Sequence, residues 1–316
     1  MPIDKKYIEQ FVKVTTKAAV ATSFFIGKKD KIAADKAATD SMRSELNNIS
    51  MCGKIVIGEG ELDEAPMLYI GELLGNNMGP DFDIAVDPLE GTNFAANNLP
   101  GALSVIAVSE KNNLLAAPET YMEKIAVGQN IENGAIDLDF SIKKNIVNLA
   151  DSKNKNIEDI TACILDRPRH KKKIDQLKDL KVNLKLITDG DVSGALLVSD
   201  EKYNVDLFLG IGGGPEGVLA ASALDAYNCR FQGRFIFKDE KGISRAKEMG
   251  IVELNKKYNL KEIVTGDSIF CATGITSGDL VKGIKINNNN YISETFVTHK
   301  SENLKKIIRQ ENNLIL

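Results

Sequence analysis

Three short apolar runs, at 160–165, 184–188 and 205–209, are separated by helical patterns near 168–180 and 191–199, and a further helical pattern follows Pro215. Buried strands that alternate with helices need crossover connections, so this stretch predicts a parallel sheet covered by helices. The first half reads differently. Ile8, Phe11, Val12, Thr15 and Ala19 form one stripe at helical spacing, Gly27 ends that helix, and a second covers 31–48. Strand signals follow at 54–57, 83–87, 103–108 and 124–127, with a short helix over 66–74. The pattern changes near residue 140. The expected fold is therefore α/β, with an α+β first lobe over 1–150 and an α/β second lobe over 151–316. Residues 287–290 read as a polar loop tip, and the last residues as a strand followed by a surface helix.

Composition narrows the function. With 316 residues, 43% hydrophobic and 27% charged, the chain can build sizeable cores. Its formal charge of −4 disfavours a nucleic-acid partner, which selects a basic face. A phosphorylated small molecule stays open, because bound cations can invert the local field. The four cysteines are far apart with no C-x-x-C pair, and there are only two histidines, His170 and His299, so zinc and two-histidine chemistry are disfavoured. The N-terminus has no apolar signal core and no run of about eighteen apolar residues occurs, so the cytoplasm is the expected location and no membrane partner is expected.

Carboxylates and glycines cluster at predicted strand ends. Ile84-Ala85-Val86 runs into Asp87-Pro88-Leu89-Glu90-Gly91-Thr92, with Pro88 expected to turn the chain sharply. Carboxylates there suit a hard divalent cation, and a helix opening at Gly91-Thr92-Asn93 suits a phosphate. Glu59 lies between Gly58 and Gly60 after another strand, with Glu61, Asp63 and Glu64 following; a solvated acidic loop is the competing reading. Gly210-Ile211-Gly212-Gly213-Gly214-Pro215-Glu216-Gly217 reads as a strand, a glycine loop and a helix start that can cradle an anion. A metal there would reconcile Glu216 with the phosphate. The spacing does not match a dinucleotide loop.

Arg167-Pro168-Arg169-His170-Lys171-Lys172-Lys173 places cations at a helix N-terminus, where they are electrostatically misplaced unless an anion binds. Asp189-Gly190-Asp191 follows a strand; Asp191 suits a helix N-cap, and both carboxylates could instead accept from sugar hydroxyls. Tyr121 could contact a phosphate or be structural.

Taken together, these motifs resemble class II fructose-1,6-bisphosphatase. The resemblance rests on Ala34-Asp35-Lys36-Ala37-Ala38, on 55–61 running into 63–72, on 87–92, on Tyr121-Met122-Glu123-Lys124, on Pro168-Arg169-His170, on 189–191, on 212–217 and on Ala272-Thr273-Gly274-Ile275-Thr276. It spans nearly the whole chain. It implies the layered αβαβα sugar-phosphatase fold and metal-dependent removal of the 1-phosphate of fructose 1,6-bisphosphate in gluconeogenesis. Implied metal ligands are Asp35, Glu59, Asp87, Glu90 and Glu216, holding two or three Mn²⁺ or Mg²⁺ ions, so most ligands fall in the first lobe. Implied substrate contacts are Glu90, Gly91, Thr92, Tyr121, Arg167, Pro168, Arg169, Asp189, Gly190, Asp191 and Gly213. Asp35 enters through the resemblance alone.

Thr92 is expected to orient a water and Glu59 or Glu61 to take its proton. The resemblance also implies a homodimer or homotetramer. Two positions depart from the family: Arg167 stands where a lysine is usual, and the stretch between Arg234 and Ala246 is short. Alternatives are a bifunctional enzyme that also takes sedoheptulose 1,7-bisphosphate, an inositol-monophosphatase-type enzyme, and a non-catalytic sugar-phosphate-binding protein.

Overall fold

The computed structural model describes residues 2–59 and 67–314. The chain forms two units, one of residues up to Glu119 together with those from Val264 onward, the other Thr120–Ile263. Residue 150, the expected lobe division, falls inside a helix of the second unit.

Along the first segment lie α1 (Lys6–Ser23), α2 (Lys31–Asn47), β1 (Cys52–Ile57), β2 (Leu73–Leu74), β3 (Asp81–Glu90), α3 (Thr92–Ala96) and β4 (Leu103–Glu110). The middle segment carries β5 (Tyr121–Val127), α4 (Ile142–Lys153), β6 (Thr161–Leu165), α5 (Lys171–Asp179), β7 (Asn183–Ile187), α6 (Asp191–Leu196), β8 (Leu207–Gly213), α7 (Gly214–Ala226), β9 (Arg230–Ile236), α8 (Glu240–Glu248), β10 (Tyr258–Asn259) and α9 (Leu260–Ile263). The last segment adds β11 (Ser268–Gly274), β12 (Lys285–Asn287), β13 (Asn290–His299) and β14 (Leu304–Asn313).

The first unit is built on an eight-stranded sheet of order β12-β13-β11-β4-β3-β1-β2, with β14 pairing β13. The expected stripe on α1 is the face that packs: Phe11, Val12, Thr15 and Ala19 are buried, and Ile8 lies partly against the core. That face covers β3, β4, β11 and β13, with α2 alongside and over β3. The core joins Phe11, Met42 and Leu46 from the helices to Ile84, Val86, Ile106, Val108, Ile269 and Val297 from the sheet. Phe11 is fully buried, so truncating it to alanine is worth about 3–5 kcal/mol. The Asp30 side chain caps α2 by accepting from Ala33 N at 3.0 Å, which fixes where Asp35 falls on that helix.

Asp267, just before β11, ties the ends of this unit together. Its carboxylate accepts from Ile3 N (2.9 Å), Ser301 N (3.0 Å) and Ser301 Oγ (2.7 Å), and lies 2.8 Å from Nε2 of buried His299.

The second unit has a six-stranded sheet of order β10-β9-β5-β8-β6-β7. β6 runs parallel to both β7 and β8, whereas β5 is antiparallel to β8 and β9. Side chains alternate across it. Ala162, Ile164, Leu207 and Leu209 join α4 and α5 in one core cluster. On the other face, α6 passes so close that a Cβ on Gly194 would meet Phe208 and Cys163. Thus α5 connects β6 to β7 over one face and α6 leads back over the other. The chain reverses its winding between β6 and β8, the place where doubly wound sheets open a crevice at their carboxyl ends. The α/β class expected from the sequence is therefore present, as strand–helix alternation here and as helices over a mixed sheet in the first unit.

Four local expectations are corrected. Residues 67–72 are not helical, and Leu73–Leu74 pairs with β1 instead; the Pro66 start of that helix lies outside the described residues. No surface helix ends the described chain: β14 pairs residue by residue with β13, and this ladder overrides the helix-favouring Lys, Gln and Glu of its sequence. The glycine run is not a loop, because β8 continues to Gly213 and α7 starts at Gly214. The fourth concerns Pro88.

Pro88 does not end its strand. β3 runs on to Glu90, and a bulge places one extra residue between Asp87 and Glu90. Asp87 pairs with Val105 and Glu90 with Leu103, so three steps on β3 match two on β4. Residues three apart on a regular strand point to opposite faces. The bulge cancels that parity and sends both carboxylates to one face, opposite the face where Ile84, Val86, Ile106 and Val108 meet the helices.

Candidate active site

On the first unit, the bulge brings one carboxylate oxygen of Asp87 within 4.8 Å of one from Glu90. Both residues are buried. Leu89 N donates to Asp87 Oδ1 at 3.1 Å, which holds the turn of the bulge. Gly91 follows with φ +78°, and a Cβ there would stand 2.9 Å from the Phe94 ring, so this position needs glycine on both counts. Gly91 thereby turns the chain into α3 and sets Thr92 at its start.

The Thr92 hydroxyl lies 3.3 Å from Asp35 Oδ1 and 3.2 Å from Leu89 O. It has one proton for two acceptors, so its remaining lone pair is open to a further donor. Burial raises the Asp35 carboxyl to about 6, against the lowering pull of the Thr92 hydrogen bond and of Lys31. Asp35, which spacing alone did not single out, thus touches the hydroxyl that the motif did. Glu59 follows β1, with its N–H on Leu68 O at 3.0 Å. Glu61 lies outside the described residues.

These donors are all carboxylate and hydroxyl oxygens. Two buried carboxylates so close repel each other in a low dielectric, and a hard divalent cation relieves that repulsion. The donor set therefore fits a hard divalent cation and not a soft, thiolate-seeking metal.

On the second unit, the expected substrate residues gather at the carboxyl ends of β6, β7 and β8 and at the paired start of β5, where Tyr121 lies opposite Gly213. Arg167 reaches Asp189 at 3.5 Å, a long and partly exposed pair. The Arg169 guanidinium carbon is 5.3 Å from the Tyr121 ring centroid and the Lys238 ammonium 4.1 Å from it. Arg169 donates from Nε to Ile211 O at 2.9 Å, and no acceptor among the described residues engages its terminal nitrogens. Two cations on one aromatic ring, one of them an arginine with its fork open, are suited to an anion.

Asp191 opens α6, but the N-cap is Gly190, at φ +76°. The N-cap reading of Asp191 is therefore corrected. Its buried carboxylate instead takes a hydrogen bond from Lys124, which also donates to Gly213 O at 2.7 Å. Lys124 is 2% exposed, so this ion pair is out of water. The Glu216 carboxylate lies against Gly213, where a Cβ would come within 1.8 Å of Oε2. A side chain at 213 would have to displace that carboxylate.

The sequence motifs assign no role to Lys124 or Lys238, and His170 enters there only as one member of the basic run 167–173. A signal existed for Lys124: it shares the inward face of β5 with Met122 and Ala126, where a lysine must have a partner.

Among the described residues, no helix is long and apolar enough to cross a membrane. The family model described as bacterial fructose-1,6-bisphosphatase, glpX-encoded, matches residues 5–312. The chain is 42% identical over 313 residues to fructose-1,6-bisphosphatase class 2 of Haemophilus influenzae, covering 94% of this chain and 93% of that one. It is 39% identical over 320 residues to a Synechococcus protein named D-fructose 1,6-bisphosphatase class 2/sedoheptulose 1,7-bisphosphatase, covering 93% and 92%. A Trichodesmium erythraeum protein of the same name is 38% identical over 313 residues, covering 91% and 90%. With a family model matching residues 5–312 and relatives near 40% identity over more than nine-tenths of their lengths, the chain belongs to the class 2 fructose-1,6-bisphosphatase family.

Proposed function

We propose that this protein is a phosphatase that uses divalent cations to hydrolyse the 1-phosphate of fructose 1,6-bisphosphate, giving fructose 6-phosphate and phosphate. The observation that carries this reading is the bulged pair Asp87 and Glu90, running directly into Gly91 and Thr92. Asp35, Glu59 and Glu216 complete the proposed ligand set for two or three Mn²⁺ or Mg²⁺ ions. Such ions supply positive charge to the phosphoryl oxygens and acidity to the attacking water.

The chain's own groups do the rest. A threonine hydroxyl is too weak an acid to serve as the base, so Thr92 positions: its proton is committed to Asp35 or Leu89 O, and its lone pair accepts from the water. Glu59 or Glu61 takes the proton. Arg167 and Arg169, with Pro168 shaping their turn and with Tyr121 and Lys238 beside them, bind the second phosphate. Asp189, Gly190 and Asp191 face the sugar hydroxyls, and Gly213 leaves room for the substrate against the backbone. Holding the remote phosphate places the reacting end, which is worth several kcal/mol when the geometry is good. The setting is cytoplasmic, and the working form is a homodimer or homotetramer.

Sedoheptulose 1,7-bisphosphate is a second proposed substrate. It presents the same reacting end and a second phosphate, and the names of the Synechococcus and Trichodesmium relatives include it.

The test is phosphate release from fructose 1,6-bisphosphate with Mn²⁺, with Mg²⁺ and with EDTA. Fructose 6-phosphate and inositol 1-phosphate serve as controls. Metal-dependent release confined to the bisphosphate is expected. Equal rates on the monophosphates would remove the arginine site from the reading, and full activity in excess EDTA would remove the metal.

A further inference from the structure

Arg169 and His170 are consecutive, and both hold the same residue of β8, through the two peptide groups that flank its Cα. Arg169 Nε donates to Ile211 O at 2.9 Å, and Ile211 N donates to His170 Nε2 at 2.8 Å. The other ring nitrogen, Nδ1, lies 2.8 Å from Leu165 O at the end of β6. A carbonyl can only accept, so Nδ1 carries the proton; Ile211 N–H can only donate, so Nε2 is bare. The partners fix one neutral tautomer.

The ring is fully buried, and it reaches β8 because position 210 is glycine: a Cβ there would stand 3.3 Å from the ring. Burial lowers its pKa, and the charges of Arg169 and Lys173 lower it further. His170 is therefore a neutral strut from β6 to β8, across the point where the sheet reverses its winding.

We propose that His170 is a positioning residue for the remote phosphate, acting through Ile211 on Arg169. The idea rests on the reading of Arg169 as a phosphate contact. Arg169 spends its Nε on Ile211 O, so the direction of its free fork follows that peptide. His170 holds the preceding peptide group, through Ile211 N, and so steadies the residue whose carbonyl Arg169 grips. If the strut is lost, residue 211 keeps its place opposite Glu123 in the β5 ladder but loses the bond that steadies it on its other side, so its carbonyl can tilt and the fork loses its aim, while the groups at the reacting phosphate are untouched. The expected signature is weaker binding of the bisphosphate with little change in turnover.

Two substitutions separate the ring's two bonds. In His170→Asn the amide sits near the place of Nδ1, keeping the Leu165 bond and losing Ile211. In His170→Gln the amide oxygen reaches the place of Nε2 and keeps Ile211. Steady-state kinetics on fructose 1,6-bisphosphate with Mn²⁺ are compared for wild type, both variants and Arg169→Ala, with a melting curve for each.

His170→Asn is expected to raise KM about tenfold, the size of one lost hydrogen bond, with kcat within about twofold. His170→Gln is expected to keep KM within about threefold. If Arg169→Ala raises KM but His170→Asn does not, the positioning role is wrong and the phosphate site stands. If Arg169→Ala leaves KM unchanged, the phosphate reading itself fails and takes this inference with it. Should His170→Asn not fold, His170→Gln decides alone: a KM as high as that of Arg169→Ala overturns the proposal.

Discussion

Asp35→Asn should make the metal-free protein more stable while removing its activity. Burial holds the Asp35 carboxyl near pH 6, about two pH units above its ordinary value. In full, that difference is roughly 3 kcal/mol of disfavoured charge at neutral pH. The group is only half-buried, and screening reduces the figure to about 1–2 kcal/mol. The sign follows from proton counts. Between about pH 4 and pH 6 the folded chain keeps a proton that the unfolded chain has released. Stability therefore falls as pH rises through this window and stays low above it.

Asparagine carries no charge and can still accept from Thr92. In EDTA at pH 7.5, urea midpoints should show the variant about 1–2 kcal/mol more stable than wild type, with the gap closing near pH 4. Saturating Mn²⁺ should reverse the order. A ligand at a hundred times its Kd adds about 2.7 kcal/mol to the protein that binds it, and the variant should gain much less. A variant less stable than wild type in EDTA would refute the burial argument. Equal stabilisation of both by Mn²⁺ would refute the ligand role.

Thr92→Ala should lower kcat by roughly 10²–10⁴-fold, with the melting curve unchanged; a kcat within twofold of wild type would leave Thr92 no part in the reaction. Lys124→Met strands the buried Asp191 carboxylate and should cost about 3–5 kcal/mol, read by urea denaturation, with Asp191→Asn on the same chain recovering part of it. Asp267→Asn should cost about 2–3 kcal/mol at pH 7. Burial alone would raise this carboxyl, but the hydrogen bonds from His299, Ser301 and Ile3 outweigh it and hold it well below its ordinary value. That stabilisation is present above about pH 4 and is lost as pH falls further, so acid titration of wild type and variant should converge.

Much of this was legible in the chain because single residues carried local physics. The α1 stripe, the alternation of β6 to β8 with helices, and the acidic and basic clusters at strand ends are properties of short windows. What escaped was set by partners far along the sequence. β14 reads as a helix until β13 is beside it, and β8 extends through its glycines because β5 supplies its ladder. The first unit's sheet takes β11 to β14 from the far end of the chain, which no local pattern announces. The site followed the same divide. Asp87, Glu90 and Arg169 could be chosen by type and place, whereas Asp35 and His170 matter through the atoms they touch, Thr92 Oγ1 and Ile211 N.

The bulge in β3 also says which changes of length this segment can bear. Along a strand every residue toggles the side on which the next one emerges, so the chain keeps a binary count. The interval from Asp87 to Glu90 is odd, and agreement between them requires one residue that is not counted. Removing Leu89 would restore an even ladder and still leave Asp87 and the next carboxylate on one face, but it would drag Gly91 and Thr92 one place back and break the turn at φ +78°. Adding one residue while the bulge is kept would instead drive Glu90 towards the apolar face under the helices, at a cost of several kcal/mol for a buried charge, and losing the bulge to avoid this would undo the turn that Leu89 and Asp87 hold. Substitutions at 88 and 89 can be absorbed if they keep the bulge. Insertions and deletions cannot, and across the family this stretch should vary in letters while its length stays fixed.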